Sequence, residues 1–314
     1  MAKSLRLSGN ARIRPLAVWM AIVAVPGLSL GLAAQPGVSG PTTEAPAAAE
    51  PATLPSLADS VERLLKAPYL SEDEQKDLRI FHGAWRESDL DSPARMARAA
   101  LIRGDYLDPS FELEGVDPVD RAEAALMAGR PTDTIQILEK AQAESVRADM
   151  LRADAAEMLG RHDDAVMVID QALRRGKLNT PEDIVCGVRM LAQRIHLRGT
   201  DVNAPAAEGG AGKLRADPQA FHQMVDTLGR VRQEAAGGRL YWPSLLAEAE
   251  LLYARDNAGK AQEALSELLS LNPACAQAWA MLGRMSVDSF NFDATEAIAQ
   301  RLDALAGNPA PMLG

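Results

Sequence analysis

The sequence predicts an all-α fold, an α-solenoid in which antiparallel helix hairpins lie side by side and share one interior. Three observations carry this. Ala122, Ala125, Gly129-Arg130, Leu138 and Ala141 return thirty-one residues later as Ala153, Ala156, Gly160-Arg161, Ile169 and Ala172. Each set gives small residues three apart on one helical face, a glycine turn, then a second helix with its own apolar stripe. A unit of that size cannot bury its apolar face alone and must stack on copies of itself. Composition agrees: aromatic residues are 4% of the chain and the 47% that is apolar is mostly Ala and Leu, which suits close helix packing better than strands. Helix starts such as Ser92-Pro93 and Thr180-Pro181, and stops such as Gly129 and Gly160, punctuate the chain at helix-length intervals.

Taken in order, residues 1–34 form an export leader: Lys3, Arg6, Arg12 and Arg14, then an apolar run from Leu16, a Pro26-Gly27 break, and small Gly31 and Ala33 fitting a cleavage site. The same stretch, Leu16 to Ala34, approaches the about 20 residues that cross a bilayer, so a retained N-terminal anchor is the alternative. Residues 35–57 carry Pro36, Pro41, Pro46, Pro51 and Pro55 among small residues, a disordered tether. Residues 58–115 are a helical cap: a short segment through Leu65, a capping box Ser71-x-x-Glu74 opening a helix through Trp85, and a helix after Ser92-Pro93. Residues 116–309 are the repeats. The first pair is Pro118–Ala128 and Asp133–Ala143, the second Val146–Leu159 and Asp163–Arg175, and the third Pro181–Arg198 and Pro218–Glu234. Between the last two lies a flexible insertion at 200–217 with Gly209-Gly210-Ala211-Gly212, and 310–314 is a tail.

The final two pairs carry a family resemblance. Ala261-x-x-x-Leu265, Leu268 and Pro273 suit the second helix and closing proline of a repeat; Trp279-x-x-Leu282-Gly283 suits the opening of the next, with Ala297 and Pro309 following. In these residues the chain resembles the tetratricopeptide repeat family over about Val116–Pro309, although Ser286 stands at the family's tyrosine place and the first two pairs have no tryptophan. Asn272-Pro273 and Asn308-Pro309 lie 36 residues apart, more than the family's usual spacing, and the extra residues are expected in Asp288–Asp293, between two helices. The resemblance implies a right-handed superhelix whose first helices line a concave groove for a peptide or partner helix. Carried over position by position, it puts Arg147, Met150, Asp154 and Glu157 on that groove, with Leu246, Glu250 and Tyr253 from the fourth pair and Gln277 and Arg284 from the fifth. Ordinary solvated faces would carry the same residue types. Their acidic and apolar mix suits a basic or amphipathic segment and lacks the basic ring that clamps a C-terminal carboxylate.

Net charge of −10, with the first acidic residue, Glu44, standing behind four basic ones, disfavours nucleic acid. Contact with a membrane is expected only through the N-terminal segment if it is not cleaved. Cys186 and Cys275 fall in different helix pairs and are expected as buried thiols. His82, His162, His196 and His222 show no metal-ligand spacing, and no phosphate loop, nucleophile elbow or calcium loop occurs, so no catalytic residue, cofactor or metal is expected. Asp89-Leu90-Asp91 suits a helix-flanking loop, Asp163-Asp164 a helix N-terminus. Trp85, Trp242, Tyr253 and Trp279 fall within helices or at their ends and are expected in core or inter-repeat packing. The sequence therefore points to an exported, periplasmic or secreted, non-enzymatic scaffold binding a protein or peptide. The alternatives are the N-terminal helical region of a larger exported protein, with a peptidase-like domain downstream, and an α/α-toroid enzyme acting on glycans.

Overall fold

The computed structural model describes residues 63–65, 70–176, 178–200, 218–234 and 240–306. The chain divides into two units, Met1–Pro55 and Ser56–Gly314, and every described residue belongs to the second. The expected leader, linker, tail and closing Asn308-Pro309 lie outside the described residues, as does the insertion apart from Thr200.

Among the described residues every regular element is helical: α1 Glu72–Phe81, α2 Pro93–Arg103, α3 Pro118–Met127, α4 Pro131–Lys140, α5 Val146–Met158, α6 His162–Arg175, α7 Pro181–Thr200, α8 Pro218–Glu234, α9 Pro243–Tyr253, α10 Ala258–Leu271, α11 Ala276–Asp288 and α12 Phe292–Ala306. Short 3₁₀ turns occupy Glu87–Asp89 and Pro109–Glu112. The starts follow local chemistry. Ser71 and Glu74 close the expected capping box, and the side chains of Ser92, Asp117 and Ser145 accept backbone N–H groups of the first turns of α2, α3 and α5. Asp163 and Asp164 sit in the first turn of α6.

One expected helix end needs correction. The helix opened by Ser71 stops at Phe81 instead of reaching Trp85, because Gly83 turns left-handed (φ 68°) and the Ala84 N–H returns to the Arg79 carbonyl at 2.8 Å. The stretch Asp89-Leu90-Asp91 lies between α1 and α2, and Asp89 is tied down there: it is 1% exposed, accepts Arg79 Nε and Nη2 at 2.8 and 2.6 Å, and accepts the Arg86 N–H at 2.8 Å.

The hairpin turns repeat one geometry. Gly129 (φ 75°) and Gly160 (φ 72°) end α3 and α5, with the next N–H reaching back to Ala125 and Ala156 at 2.8 Å in each case. After α9 and α11 the same left-handed place is held by Asp256 and Phe290, both at φ 58°, with Asn257 and Asn291 reaching back to Leu252 and Ser286. The turn Ser289-Phe290-Asn291 is as short as the earlier ones, so the extra residues of the last repeat do not sit there. The helices of this hairpin run 13 and 15 residues, against 13 and 14 in α5 and α6 and 10 each in α3 and α4.

Apolar packing follows chain order. Ala122, Ala153, Leu138 and Ile169 are fully buried in one cluster that also takes Cys186 and Met190 of α7. Val188, Met224, Leu228 and Leu251 join α7, α8 and α9, and Leu245, Leu265, Leu268, Ala278 and Met285 join α9 to α11. The N-terminal helices touch both ends of this series. On α2, Ala97 and Ala100 pack with Val116 and Ala124 of the first hairpin, while Ala99 packs with Ile80, Trp85, Ala274 and Leu305 beside the last. Gly104, which follows α2, lies so close to Ala276 that an added Cβ would stand 2.7 Å from the Ala276 Cβ. The Phe81 carbonyl accepts the Trp242 indole N–H at 2.7 Å and the Asn272 amide at 3.1 Å, and buried His82 Nδ1 lies 3.1 Å from the Leu271 carbonyl. Within this unit the packing order closes on itself.

Candidate functional site

Once alanines and leucines have packed α3, α5, α7 and α9 against their partners, each helix keeps a polar stripe beside ion pairs on its other faces, such as Asp149 with Arg152, Arg194 with Asp170 and Glu248 with Arg232. On α3 it is Asp120 and Glu123; on α5, Arg147, Asp154 and Glu157; on α7, Glu182, Arg189 and Gln193, with Cys186 between; on α9, Glu250. Spacings of three, four and seven hold such residues to one face of a helix. The stripes meet. Arg147 Nη1 donates to Asp120 Oδ1 at 2.8 Å and Nε to Glu123 Oε2 at 3.0 Å, with Glu182 Oε1 3.7 Å away. Arg189 Nη2 donates to Glu250 Oε1 at 2.6 Å, and Gln193 Nε2 to Glu157 Oε2 at 2.6 Å.

Asp154 stands among these groups with no hydrogen bond or ion pair among the described residues. Burial raises its carboxyl to about 6; Arg189 opposes the rise, while Glu157, Glu250 and Glu123 add to it by repulsion. The groups that act on it therefore come from α3, α5, α7 and α9. Both arginines stay charged: Glu250 foremost stabilises Arg189 against its burial, and around Arg147 burial is outweighed by Glu123 and Asp120. Tyr106, which follows α2, is raised to about 12 by burial and by Glu123, with Gln277 of α11 opposing the rise. Phe81 stacks on Tyr241 at 5.9 Å just before α9, and burial together with Glu182 raises the Tyr241 phenol.

Of the nine residues expected on a groove, Arg147, Asp154, Glu157 and Glu250 belong to this lining, and Gln277 lies on α11, which is not one of its four helices. Tyr253 and Arg284 form a separate pair, the guanidinium 5.7 Å from the ring centre, and the Tyr253 hydroxyl bonds to Asp288. Met150 and Leu246 are corrected: at 7% and 4% exposure they fill apolar clusters and offer no surface to a partner. The carry-over by repeat position ignored that α5 is packed by α3, α4, α6 and α7 together, which leaves it only a narrow free face. Asp120, Glu123, Glu182, Arg189, Gln193, Tyr106 and Tyr241 were missed. The α7 stripe was available as polar residues at offsets of seven and eleven from Glu182.

Cys186 and Cys275 are free and buried, and burial pushes each thiol up to about 12, so they stay protonated. Among the described residues no three His, Cys, Asp or Glu side chains are grouped to hold a metal ion, and no helix is long and apolar enough to cross a membrane. No family model, curated protein or solved structure matches the chain.

Proposed function

We propose that this chain is a tetratricopeptide-like scaffold, a right-handed solenoid of helix hairpins, that binds a peptide or a segment of a partner protein in the lining shared by α3, α5, α7 and α9. One observation carries the proposal: charged side chains from four successive first helices act on Asp154, which lies in the field of Arg189 without a hydrogen bond or ion pair among the described residues. A partly buried carboxylate without an ion pair is costly to keep ionised, and a binding surface is a common reason for keeping one. Export rests on the sequence character of residues 1–34.

Affinity capture with the full chain tests the proposal, comparing wild type with Asp154→Asn plus Glu250→Gln and with Glu139→Gln, an exposed residue outside the lining. The expected result is partners lost from the first variant and retained by the second. Retention of every partner by both removes the lining from the account.

A second reading, an α/α-toroid enzyme acting on glycans, is favoured by the closure of the packing order through α2 and by a carboxyl that holds its proton near pH 6. Polysaccharide hydrolysis that Asp154→Asn abolishes would replace the scaffold by this reading.

A further inference from the structure

Independently of the binding role proposed above, we infer that the joint where α1 and α2 meet α10, α11 and α12 is an acid-sensitive latch. Protonation of His82 releases it while the hairpins stay folded. The two sides of the N-terminal pair differ in chemistry. Toward α3, α2 packs Ala97 and Ala100 on Val116 and Ala124, an apolar contact. Toward the last hairpins Trp85 and Ala99 pack on Ala274 and Leu305, and buried polar groups complete the joint. The Phe81 carbonyl accepts the Trp242 indole N–H at 2.7 Å and the Asn272 amide at 3.1 Å, and Asn272 Oδ1 accepts the Ala274 N–H at 3.1 Å. Gly83 sits so close that an added Cβ would stand 2.2 Å from Asn272 Oδ1. His82, between Phe81 and Gly83 in the chain, is 2% exposed, with Nδ1 3.1 Å from the Leu271 carbonyl and the Phe81 ring 5.0 Å away, edge to face. A carbonyl only accepts, so Nδ1 holds the proton and the neutral ring is the form that fits.

The titratable groups on the elements around His82 are engaged elsewhere. On α1 and the turn after it, Arg79 is bonded to Asp89 and Lys76 to Asp91. On α2, Arg95 is bonded to Asp73, Asp77 and Asp91, and Arg103 to Asp105 and Asp108. Before and on α9, burial raises the Tyr241 phenol, which stays neutral, and Glu248 is paired with Arg232. Glu263 and Glu267 of α10 are exposed, and the buried Cys275 thiol before α11 stays protonated. What acts on His82 is burial, opposed by the Leu271 carbonyl, and burial draws the imidazole down to about 4. In an open joint the ring meets water and returns toward 6.5, so opening becomes about twentyfold more frequent at pH 5 than at pH 7. Asp91, drawn down to about 2 by Lys76 and Arg95, keeps α1 on α2 through that range.

Amide hydrogen exchange of the full chain, read by mass spectrometry at pH 7 and pH 5 and corrected for intrinsic rates, tests the latch. In wild type the peptides spanning 81–84 and 272–275 are expected to exchange about twentyfold faster at pH 5, with α3 and α5 unchanged. His82→Gln and His82→Phe, two uncharged replacements of different shape, should each remove that dependence on pH. Gly83→Ala, whose methyl meets Asn272, should expose the same peptides at both pH values and so mark the open state. Equal corrected rates at pH 5 and pH 7 in wild type overturn the inference. Acceleration of α5 in step with the joint also overturns it, since the event would then be global unfolding. A pH response that survives both His82 replacements assigns the release to another group and overturns it as well.

Discussion

Replacing Asp154 by Asn should make the protein more stable at neutral pH. In the unfolded chain the carboxyl titrates at 3.8; in the fold it titrates at about 6. Because the folded value is raised, the folded state carries its penalty wherever the group is ionised, above pH 6. The penalty fades as pH falls from about 6 and is gone below the unfolded value. At about 1.4 kcal/mol per unit, the shift corresponds to a penalty of up to about 3 kcal/mol, and partial exposure of the side chain to water makes this an upper figure. Asn keeps the shape without the charge. Chemical denaturation of wild type and variant at about pH 7.5 should show the variant ahead by as much as about 3 kcal/mol, with the gap closing by about pH 4. For a domain of this size that is a rise in Tm of roughly 2–4 °C per kcal/mol. A variant that is no more stable at neutral pH, or whose advantage persists undiminished below pH 4, would refute the reasoning. The same substitution is expected to lose the ligand, the usual trade of function against stability.

Three further outcomes follow from particular residues. His82 is buried and its imidazole is pulled down to about 4 by that burial, so stability is full above the unfolded value of 6.5 and falls by about 3 kcal/mol between pH 6.5 and 4; His82→Gln should flatten that dependence in pH-resolved denaturation. Phe290 holds a left-handed turn with 79% of its surface exposed, where Gly129 and Gly160 stand in the earlier turns; Phe290→Gly should raise stability by about 1 kcal/mol, read as a higher Tm. Gly104→Ala adds a methyl 2.7 Å from the Ala276 Cβ at φ 81° and should cost about 2–4 kcal/mol, whereas Gly160→Ala meets open space and should cost about 1–2 kcal/mol from backbone strain; equal losses in parallel denaturation curves would deny the contact of the α2 C-terminus with α11.

The hairpins were legible because their rules are local. Ala122 and Ala153, Gly129 and Gly160, Ser92 and Thr180 each state a helical face, a turn or a cap within a few residues of themselves. The turn at Phe290 was not legible, since nothing in a phenylalanine announces a left-handed backbone. Part of the lining was reached by repeat register, through Arg147, Asp154, Glu157 and Glu250. The register failed at Met150 and Leu246 because it marks which helix is inner, and says nothing of how many neighbours cover it. The α7 stripe escaped because that helix runs for 20 residues without the alanine spacing that marks the first two repeats. Closure of the N-terminal helices on the last hairpin rests on pairs such as His82 with Leu271, 189 residues apart, and no periodicity reports a pairing at that range.

Nuclear magnetic resonance titration of the Asp154 side chain, in wild type and in single variants of its neighbours, tests most directly whether four helices share one charged lining. The carboxyl should titrate at about 6, move upward in Arg189→Met, and move downward in Glu250→Gln and in Glu123→Gln, although those residues lie on other helices. A value near 3.8 that ignores all three substitutions would mean that the stripes do not meet.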